Sequence, residues 1–221
     1  MGDNKKIEIV ESILDCNDRI AKETNDTLSR AGVFTINVMG APGAGKTSTI
    51  KSIINGLKNI KSYVVEGDIE SDLDTMALRT LGINTVQINT HGACHLDAPV
   101  ISETINKWNI SNPGVMFIEN IGNLVCPAEF NIGEHIKMLV VTVTEGSDKP
   151  YKYPLAFEKA DVIIINKVDL IPYVDFNEKF FMTGVRALNP NGLVVKVSAK
   201  DSDSIEEVVQ WIKERYYNMS I

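Results

Sequence analysis

The spacing of hydrophobic positions along the chain changes after Gly32. Over residues 5–31, apolar side chains recur at helical intervals with charged residues between them, which predicts one amphipathic helix. From Val33 onward, short apolar and often β-branched runs alternate with helical stretches, a pattern typical of βαβ units. Runs that are apolar throughout belong to strands covered on both faces. The pattern therefore predicts an N-terminal helix over residues 1–32 and, over residues 33–221, an α/β domain with a doubly wound, mostly parallel sheet.

Individual strands and helices can be located within this pattern. Strands are predicted at 34–39, 62–67, 85–89, 115–120, 138–144, 162–166 and 193–198. Helices are predicted at 46–58, 72–81, 98–108, 153–159, 175–188 and 203–217. Because a parallel sheet gathers the carboxyl ends of its strands at one edge, we expect the functional site at that edge.

Composition and charge narrow the class of protein further. The chain has 221 residues, of which 44% are hydrophobic and 23% charged, as in ordinary globular proteins. A net charge of −7 without a cluster of basic residues argues against nucleic acid or an anionic membrane as a partner. No apolar stretch reaches the roughly 18 residues of a membrane-spanning helix. The three cysteines do not make a disulfide framework, so we expect a reducing, cytoplasmic location and cysteines that act as metal ligands or thiols.

A glycine-rich loop follows the first predicted strand of the sheet. Residues 40–47 read GAPGAGKT, the G-x-x-x-x-G-K-[ST] pattern, and they stand between a predicted strand and a predicted helix. Backbone N–H groups of such a loop converge on phosphate oxygens, and the helix adds its positive end. Lys46 would reach the β- and γ-phosphates, and the Thr47 hydroxyl would ligate Mg²⁺. The candidate phosphate-binding residues are Gly43, Ala44, Gly45, Lys46, Thr47 and Ser48.

A second motif, N-K-V-D at residues 166–169, follows a later strand, and S-A-K at 198–200 follows the next one. The Asp169 carboxylate can accept hydrogen bonds from N1–H and the 2-amino group of guanine, a donor pair that adenine lacks. The Lys167 stem can cover the base, while Asn166 braces the loop. An isolated N-K-x-D also fits a surface turn, but its order after a phosphate loop and before S-A-K favours guanine. The candidate base-binding residues are Asn166, Lys167, Asp169, Ser198, Ala199 and Lys200.

Acidic residues follow two further predicted strands. Glu119 ends one of them, where an acid would hold Mg²⁺ or its water, and Asp68 and Asp72 are candidates for a Mg²⁺ or water-orienting role. This acid run also fits a solvated loop and a helix N-terminus, where acids are favoured. Because no catalytic glutamine follows Gly122, we expect slow intrinsic turnover. The catalytic candidates are Lys46, Asp68, Asp72 and Glu119, and the candidate Mg²⁺ ligands are Thr47, Asp68 and Glu119.

Two cysteines and a histidine form a third candidate group. Cys94 and His95 are adjacent, and both their segment and that of Cys126 follow predicted strands, so they should lie at one edge of the sheet. Sulfur and nitrogen ligands suit Zn²⁺, Ni²⁺ or Cu, and two chains around a two-fold axis would supply six ligands. His91 is a further candidate ligand, whereas Cys16 is interpreted as structural or incidental. The spacing alone fits equally well two buried structural cysteines with an unrelated histidine.

The combined motifs resemble those of the HypB-type hydrogenase maturation GTPases. The resemblance covers roughly residues 30–215. It rests on GAPGAGKT (40–47), GD (67–68), GACHLDAP (92–99), ENIGNLVCP (119–127), NKVD (166–169) and SAK (198–200). It implies that residues 33–221 form a P-loop GTPase domain of the signal-recognition/MinD/BioD class, with GTP or GDP and Mg²⁺ bound.

The resemblance also implies a metal site and partners. Cys94, His95 and Cys126 would bind Ni²⁺ or Zn²⁺ at the interface of a GTP-promoted homodimer. The implied partners are a HypA-like metallochaperone and the large subunit of [NiFe]-hydrogenase. Some family members carry an N-terminal C-x-x-C-G-C site or a histidine-rich tract, but residues 1–31 contain one cysteine and no histidine. Tight nickel binding and storage by this N-terminal segment are therefore not expected.

Three other functions remain open at this point. The first is an accessory GTPase of the urease or cobalamin-mutase type, although urease-type relatives have C-P-H at the analogous place. The second is a metal-storage protein, for which three histidines and three cysteines are few ligands. The third is a guanine-nucleotide switch with structural Zn²⁺, because Zn²⁺ and Ni²⁺ accept the same ligands.

Overall fold

A computed structural model describes residues 3–68, 82–90, 92–108, 110, 112–198 and 201–219, with side chains from residue 13 onward apart from those of residues 68 and 202. Within these ranges, no helix has the length and apolar character needed to cross a membrane. The helix predicted at 72–81 lies outside the described residues.

Seven strands form a single sheet in which every pair is parallel. The strands are β1 (Val33–Met39), β2 (Ser62–Asp68), β3 (Asn84–Asn89), β4 (Gly114–Glu119), β5 (Ile136–Thr142), β6 (Val162–Asn166) and β7 (Leu193–Lys196). Their order across the sheet is β3-β2-β4-β1-β5-β6-β7. This arrangement confirms the predicted parallel α/β fold, and it places the glycine-rich loop after the central strand.

Helices cover both faces of this sheet. Those among the described residues are α1 (Asp3–Arg30), α2 (Lys46–Leu57), α3 (Ala98–Lys107), α4 (Cys126–Glu129), α5 (Lys149–Lys152), α6 (Pro154–Lys159), α7 (Glu178–Leu188) and α8 (Glu206–Met219). Short 3₁₀ turns cover Val143–Glu145, Val168–Tyr173 and Ser202–Ile205. The strand residues alternate between the two faces, so Ile36 packs in one cluster with α2 and α8, while Val33 packs in another with α1 and α3. A further cluster joins β5 and β6 to α6 and α7 around Phe157 and Phe181.

The long helix α1 packs onto the sheet domain through its second half. Leu28 is 1% exposed and lies in the cluster with α3. Asn17 is also buried, and its side chain accepts a hydrogen bond from Ala98 N at 3.0 Å and donates one to Asn131 O at 2.8 Å. A buried amide is costly unless its donors and acceptors are bonded, so these two contacts hold α1 in one position against the start of α3.

Several element boundaries differ from the prediction, among them the helix predicted at 203–217, which spans Glu206–Met219, and the strand predicted at 193–198, which ends at Lys196. At two others a side chain caps the neighbouring turn. The strand predicted at 138–144 ends at Thr142, whose hydroxyl accepts a hydrogen bond from Thr144 N at 3.5 Å and starts a 3₁₀ turn. The helix predicted at 175–188 begins at Glu178, because the Asn177 side chain accepts from Phe180 N at 3.0 Å and caps it there. The spacing of apolar residues does not register such caps. The prediction therefore placed the end of the strand and the start of the helix too far out.

Candidate functional site

The loop after β1 borders a cleft of about 570 Å³ at the carboxyl edge of the sheet. The end of β2, the end of β4 with the segment after it, and Lys167 after β6 line the rest of this cleft. Gly43 and Gly45 have φ of 73° and 93°, the left-handed region that favours glycine. A Cβ on Gly45 would also lie 2.3 Å from Asn166 Nδ2, so a side chain there has no room. The loop therefore turns its backbone towards the start of α2, the positive end of a twelve-residue helix.

The first two side chains of α2 face this cleft. Lys46 is 8% exposed, and its Nζ donates to Gly40 O and Ala41 O at 3.3 Å each. Thr47 donates from Oγ1 to Glu119 Oε1 at 2.9 Å. The predicted magnesium ligands Thr47 and Glu119 thus lie side by side, and a hydroxyl with a carboxylate is a donor set that fits Mg²⁺.

Two further acidic candidates are located only in part. The backbone of Asp68 ends β2, next to Gly67 of the cleft, but its side chain lies outside the described residues. Asp72 lies outside the described residues altogether, as do the candidate ligand His91 and the base-site residues Ala199 and Lys200. The catalytic and base-binding roles of these residues remain predictions.

The N-K-V-D segment is bonded to the glycine-rich loop. Asn166 donates from Nδ2 to Ala44 O at 2.9 Å, and its Oδ1 accepts from Lys167 N at 2.7 Å. Lys167 adopts a φ of 59° and donates from Nζ to Gly43 O at 2.7 Å. Asp169 accepts a hydrogen bond from Ser198 Oγ at 2.8 Å, which joins the N-K-V-D and S-A-K motifs. Hydrogen bonds therefore connect the predicted phosphate-binding loop to the predicted base-binding segments.

A carboxyl group that the sequence analysis did not single out lies among the lysines of the cleft. Glu145 follows β5, and its Oε2 is 3.8 Å from Lys149 Nζ. Burial raises the pKa of Glu145, while the charges of Lys149, Lys167 and Lys46 oppose that rise. Its position beside β1 in the sheet, rather than any motif, brings it close to the phosphate loop. A half-buried carboxyl group therefore interacts electrostatically with Lys46 and Lys167 of the cleft.

Cys94, His95 and Cys126 come together at the same edge of the sheet. Their ligand atoms all lie within 4.8 Å of one another. The Sγ of Cys94 is 3.2 Å from that of Cys126 and 3.4 Å from Nδ1 of His95. Cys94 is exposed, which does not fit the alternative of a buried structural cysteine. Two sulfur atoms and one imidazole nitrogen at these separations form a donor set that fits Ni²⁺ or Zn²⁺. Cys16 lies apart from this cluster, exposed on α1.

A crossing over β2 brings the two metal-ligand segments together. The Cys94 segment follows β3 and the Cys126 segment follows β4, and β2 lies between these strands. Leu96 is packed over the end of β2, where a Cβ on Gly67 would lie 2.8 Å from Leu96 Cδ1. The glycine of the G-D pair therefore makes room for the crossing. Gly67 could have indicated this crossing from the sequence, but the sequence analysis used it only as part of the G-D pair.

Buried amides fix the backbone on which the ligands stand. Asn120 is 1% exposed, and its Oδ1 accepts from Leu96 N at 3.1 Å and from Ile121 N at 3.0 Å. Its Nδ2 donates to Oδ1 of Asn37, a fully buried residue of β1, at 3.1 Å. Because this amide uses all three contacts inside the protein, it locks the segment before His95 to the segment after β4.

The buried network continues to the ring that packs on His95. Asn37 donates to Glu134, which forms a buried ion pair with Lys137, and Lys137 Nζ donates to Phe130 O at 2.8 Å. The Phe130 ring stacks on the His95 ring with centroids 4.1 Å apart and planes at 24°. A buried ion pair is costly unless its two partners make further hydrogen bonds. Here Glu134 also accepts from Asn37 and Ile132 N, and Lys137 also donates to Phe130 O. The network therefore forms a rigid frame under the imidazole.

The surroundings of the cluster shift two of its pKa values. Burial lowers the pKa of His95, against the opposing charges of Asp97 and Glu129, so the imidazole stays neutral at neutral pH and keeps a lone pair for a metal. The hydrogen bond to Cys126 raises the pKa of the Cys94 thiol, with burial as the next cause. Metal binding at this cluster must therefore displace a proton.

A glycine-rich loop after the central strand of a parallel sheet, followed by a helix N-terminus, defines a P-loop nucleotide-binding protein. The family model for the CobW/HypB/UreG nucleotide-binding domain matches residues 34–196. The hydrogenase maturation factor HypB of Rhizobium leguminosarum bv. viciae is 40% identical over 214 residues, which are 96% of this chain and 72% of that protein. The chain therefore belongs to the HypB family of hydrogenase maturation factors.

Solved structures of the family have the same fold. The crystal structure of HypB from Helicobacter pylori in complex with nickel aligns with a TM-score of 0.85 at 32% identity and covers 91% of this chain and 95% of that one. The structure of HypB from Archaeoglobus fulgidus aligns with a TM-score of 0.86 at 34% identity and covers 92% and 100%. These similarities confirm the family and the P-loop fold that the motifs predicted.

Proposed function

We propose that the protein is a GTP-hydrolysing metallochaperone that assists nickel insertion into a [NiFe]-hydrogenase. The observation that carries this proposal is the Cys94–His95–Cys126 cluster, which lies next to the nucleotide cleft and shares a segment with it. Glu119 and Gly122 line the cleft, and Cys126 follows four residues after Gly122. A nickel complex of the Helicobacter pylori relative supports the choice of metal.

Hydrolysis of GTP would use the groups at the start of α2. The backbone of residues 43–48 binds the phosphates, and Lys46 places a positive charge beside the β- and γ-phosphates. Thr47 and Glu119 would hold Mg²⁺, which when bound neutralises charge on the phosphate oxygens. Asp169 and Ser198 would select guanine. Because no glutamine follows Gly122 to orient water, turnover is slow, well below about 1 per second.

Nickel is the cargo of this cycle, and one chain supplies an incomplete set of ligands. Three side-chain donors leave at least one position of a tetrahedral or square-planar ion unfilled. A second copy around a two-fold axis supplies three more, so a homodimer completes the site. In this proposal GTP promotes the homodimer, which holds the metal at its interface, and hydrolysis loosens it.

The nucleotide state would set metal affinity through the segment after β4. Gly122 lines the cleft and touches Pro42 of the phosphate loop. Loss of the γ-phosphate would therefore relax this segment and move Cys126. By linkage, the metal must change nucleotide affinity or dimerisation by the same free energy. A HypA-like metallochaperone and the hydrogenase large subunit are the proposed partners in the cytoplasm, with residues 1–32 as an N-terminal helix on the GTPase domain of residues 33–221.

The test is a titration with Ni²⁺ and with Zn²⁺ of protein loaded with GDP or with a non-hydrolysable GTP analogue, with the mass measured in the same samples. We expect the analogue to produce a dimer and to change metal affinity, and Cys94→Ser and Cys126→Ser to abolish both the binding and the change. Cys16→Ser, on the exposed face of α1, is the matched control.

Two outcomes would contradict the proposal in different ways. Binding that ignores the nucleotide and survives loss of both cysteines would leave a guanine-nucleotide switch without a metal site. Tight Zn²⁺ binding by the cysteines that is equal in both nucleotide states would favour a GTPase with structural zinc.

A further inference from the structure

Asn123 contacts both candidate sites, although no motif role is attached to it. Its backbone forms an antiparallel bridge with Gly40, the first residue of the phosphate loop. Its side chain donates from Nδ2 to Cys94 O at 3.1 Å and accepts at Oδ1 from Val125 N at 2.9 Å. One half-buried residue is therefore bonded to the phosphate loop and to the backbone beside each metal-ligating thiol.

The two side-chain bonds act on different parts of the thiol pair. The bond to the Cys94 carbonyl holds the backbone that carries one sulfur. The bond from Val125 N holds the residue directly before Cys126, which begins α4 and carries the other sulfur. Because both bonds end on one amide, a displacement of Asn123 moves the two sulfur atoms together, and loss of the amide lets them move independently.

The residues before Asn123 give this segment one fixed end and one contact with the loop. Asn120 is the fixed end, since its buried amide holds Leu96 N and Ile121 N to the central strand. Gly122 touches Pro42 of the phosphate loop so closely that a Cβ there would lie 2.7 Å from Pro42 Cγ. A shift of the phosphate loop therefore reaches Asn123 through Gly122 as well as through Gly40.

We propose that Asn123 is the positioning residue that converts the state of the phosphate loop into the relative placement of the Cys94 and Cys126 sulfur atoms. This inference rests on the proposed function, in which nucleotide state changes metal affinity. It names the residue that carries the coupling: Asn123, whose backbone pairs with Gly40 of the loop and whose side chain makes one hydrogen bond to each thiol segment. Asn123 lies outside the lining of the cleft and outside the candidate metal ligands, so its removal should alter the coupling between the sites more than either affinity measured alone.

The experiment measures one ratio, the Ni²⁺ dissociation constant of the GDP-loaded protein divided by that of the protein loaded with the GTP analogue. In the full-length Asn123→Ala protein, this ratio should move towards one by about five-fold or more, because the variant loses two hydrogen bonds and one of ordinary net strength is worth about that factor. GDP affinity without metal and the thermal midpoint should stay at the wild-type values. Asn131→Ala is the matched control, because Asn131 also donates an exposed side-chain bond, to Asp18 of α1, and contacts neither thiol segment through it.

Two further variants test the two hydrogen bonds of the Asn123 amide separately and test the contact between Gly122 and the phosphate loop. Asn123→Asp keeps the acceptor for Val125 N but loses the donor to Cys94 O, so it should restore part of the ratio. Gly122→Ala pushes Pro42 away and should lower the ratio by the loop route. If both residues lie on one path, the double variant Gly122→Ala with Asn123→Ala should lower it little more than the stronger single variant.

The outcomes distinguish this inference from the proposed function. A wild-type ratio of one would overturn the nucleotide–metal coupling itself. A wild-type ratio clearly different from one that is unchanged in Asn123→Ala would overturn the role of Asn123 and leave the coupling intact. Equal weakening of Ni²⁺ binding in both nucleotide states, with the ratio preserved, would make Asn123 a merely structural support and would also overturn the inference.

Discussion

The phosphate loop and the thiol cluster lie on one edge of the same sheet, but they are built in different ways. The loop is a single run, residues 40–47, whose shape follows from its own glycines and from the helix that continues it. The cluster joins Cys94 to Cys126, which are 32 positions apart, after a crossing over the end of β2. One site is therefore local in the chain, and the other is assembled by the fold.

This difference predicts which substitutions act on which ligand. Side-chain changes that remove phosphate contacts from the loop should reduce nucleotide affinity and leave the metal affinity of the nucleotide-free protein unchanged, because the Phe130 ring and the Asn120 amide support the thiol segments from outside the loop. Changes in the frame formed by Asn37, Glu134, Lys137 and Phe130 should act on the metal alone. The segment between Glu119 and Asn123 is the shared part, where both ligands should respond.

The largest effect is expected in the loop. Lys46→Ala should weaken GDP and GTP-analogue binding by about 100-fold or more, as expected for the loss of two charge-assisted hydrogen bonds to phosphate. Titration with a fluorescent guanine nucleotide measures this, and Lys179→Ala on the exposed face of α7 is the control. Nickel binding to the nucleotide-free protein should be unchanged. Nickel binding that fell with nucleotide binding would break the separation between the sites.

A ligand substitution should give the second effect. Cys126→Ser should weaken Ni²⁺ and Zn²⁺ binding by at least about 100-fold, because loss of a direct ligand should cost no less than loss of an outer-shell partner, which costs about 10- to 100-fold. GDP affinity without metal should stay the same, because Cys126 lies outside the cleft lining. The sulfur-to-nickel absorption band and competition with a chelator measure the loss. Unchanged metal affinity would show that the cluster is not the binding site.

A substitution in the frame should have a smaller effect on the metal. Phe130→Ala removes the ring that stacks on His95 and should weaken Ni²⁺ binding by about 2- to 10-fold, the range of one aromatic pair. Phe130→Leu keeps apolar volume under the imidazole, so its Ni²⁺ affinity should lie between those of the wild type and Phe130→Ala. Nucleotide affinity should not change. A loss as large as that of Cys126→Ser would mean that the frame, rather than the ligands, determines the affinity.

The smallest effect concerns the fold beneath both sites. His135 accepts from Thr35 N at Nδ1 and pairs with Ser29 Oγ at Nε2, and burial lowers its pKa against the opposing charge of Glu134. The unfolded chain binds a proton near pH 6.5, whereas the folded chain resists it until lower pH. The free energy of unfolding should therefore fall as the pH drops below about 6.5 towards the folded pKa.

Chemical denaturation at pH 7.5 and at pH 5.5 measures this decline. The slope should be smaller in His135→Gln, which keeps an acceptor for Thr35 N but does not titrate. An equal slope in the variant and the wild type would assign the acid sensitivity to other groups. A loss of metal at low pH could then arise from a less stable fold as well as from protonated ligands. Nucleotide and metal affinities should therefore be compared at pH 7.5.

Most of the architecture could be predicted from local pattern. The seven strands appear at the predicted places, within one to two residues at each end, because strands buried on both faces of a parallel sheet are apolar throughout. Ends set by a cap, as at Thr142 and Asn177, were misplaced, since one side-chain oxygen leaves no trace in periodicity. The four-residue helix α4 at Cys126 was missed because it is too short to show a period.

The sequence by itself determined the phosphate loop and the N-K-V-D and S-A-K motifs, and it pointed to Cys94, His95 and Cys126 as candidate metal ligands. These features are local, since each depends on the types of a few neighbouring residues. Only the tertiary structure decided that Leu96 crosses over Gly67, that Asn37 and Asn120 lock the two candidate ligand segments to the central strand, and that Glu145 lies near Lys46 and Lys167 of the cleft. Such contacts join residues far apart in the chain, and their energies exist only once the sheet order has brought those residues together.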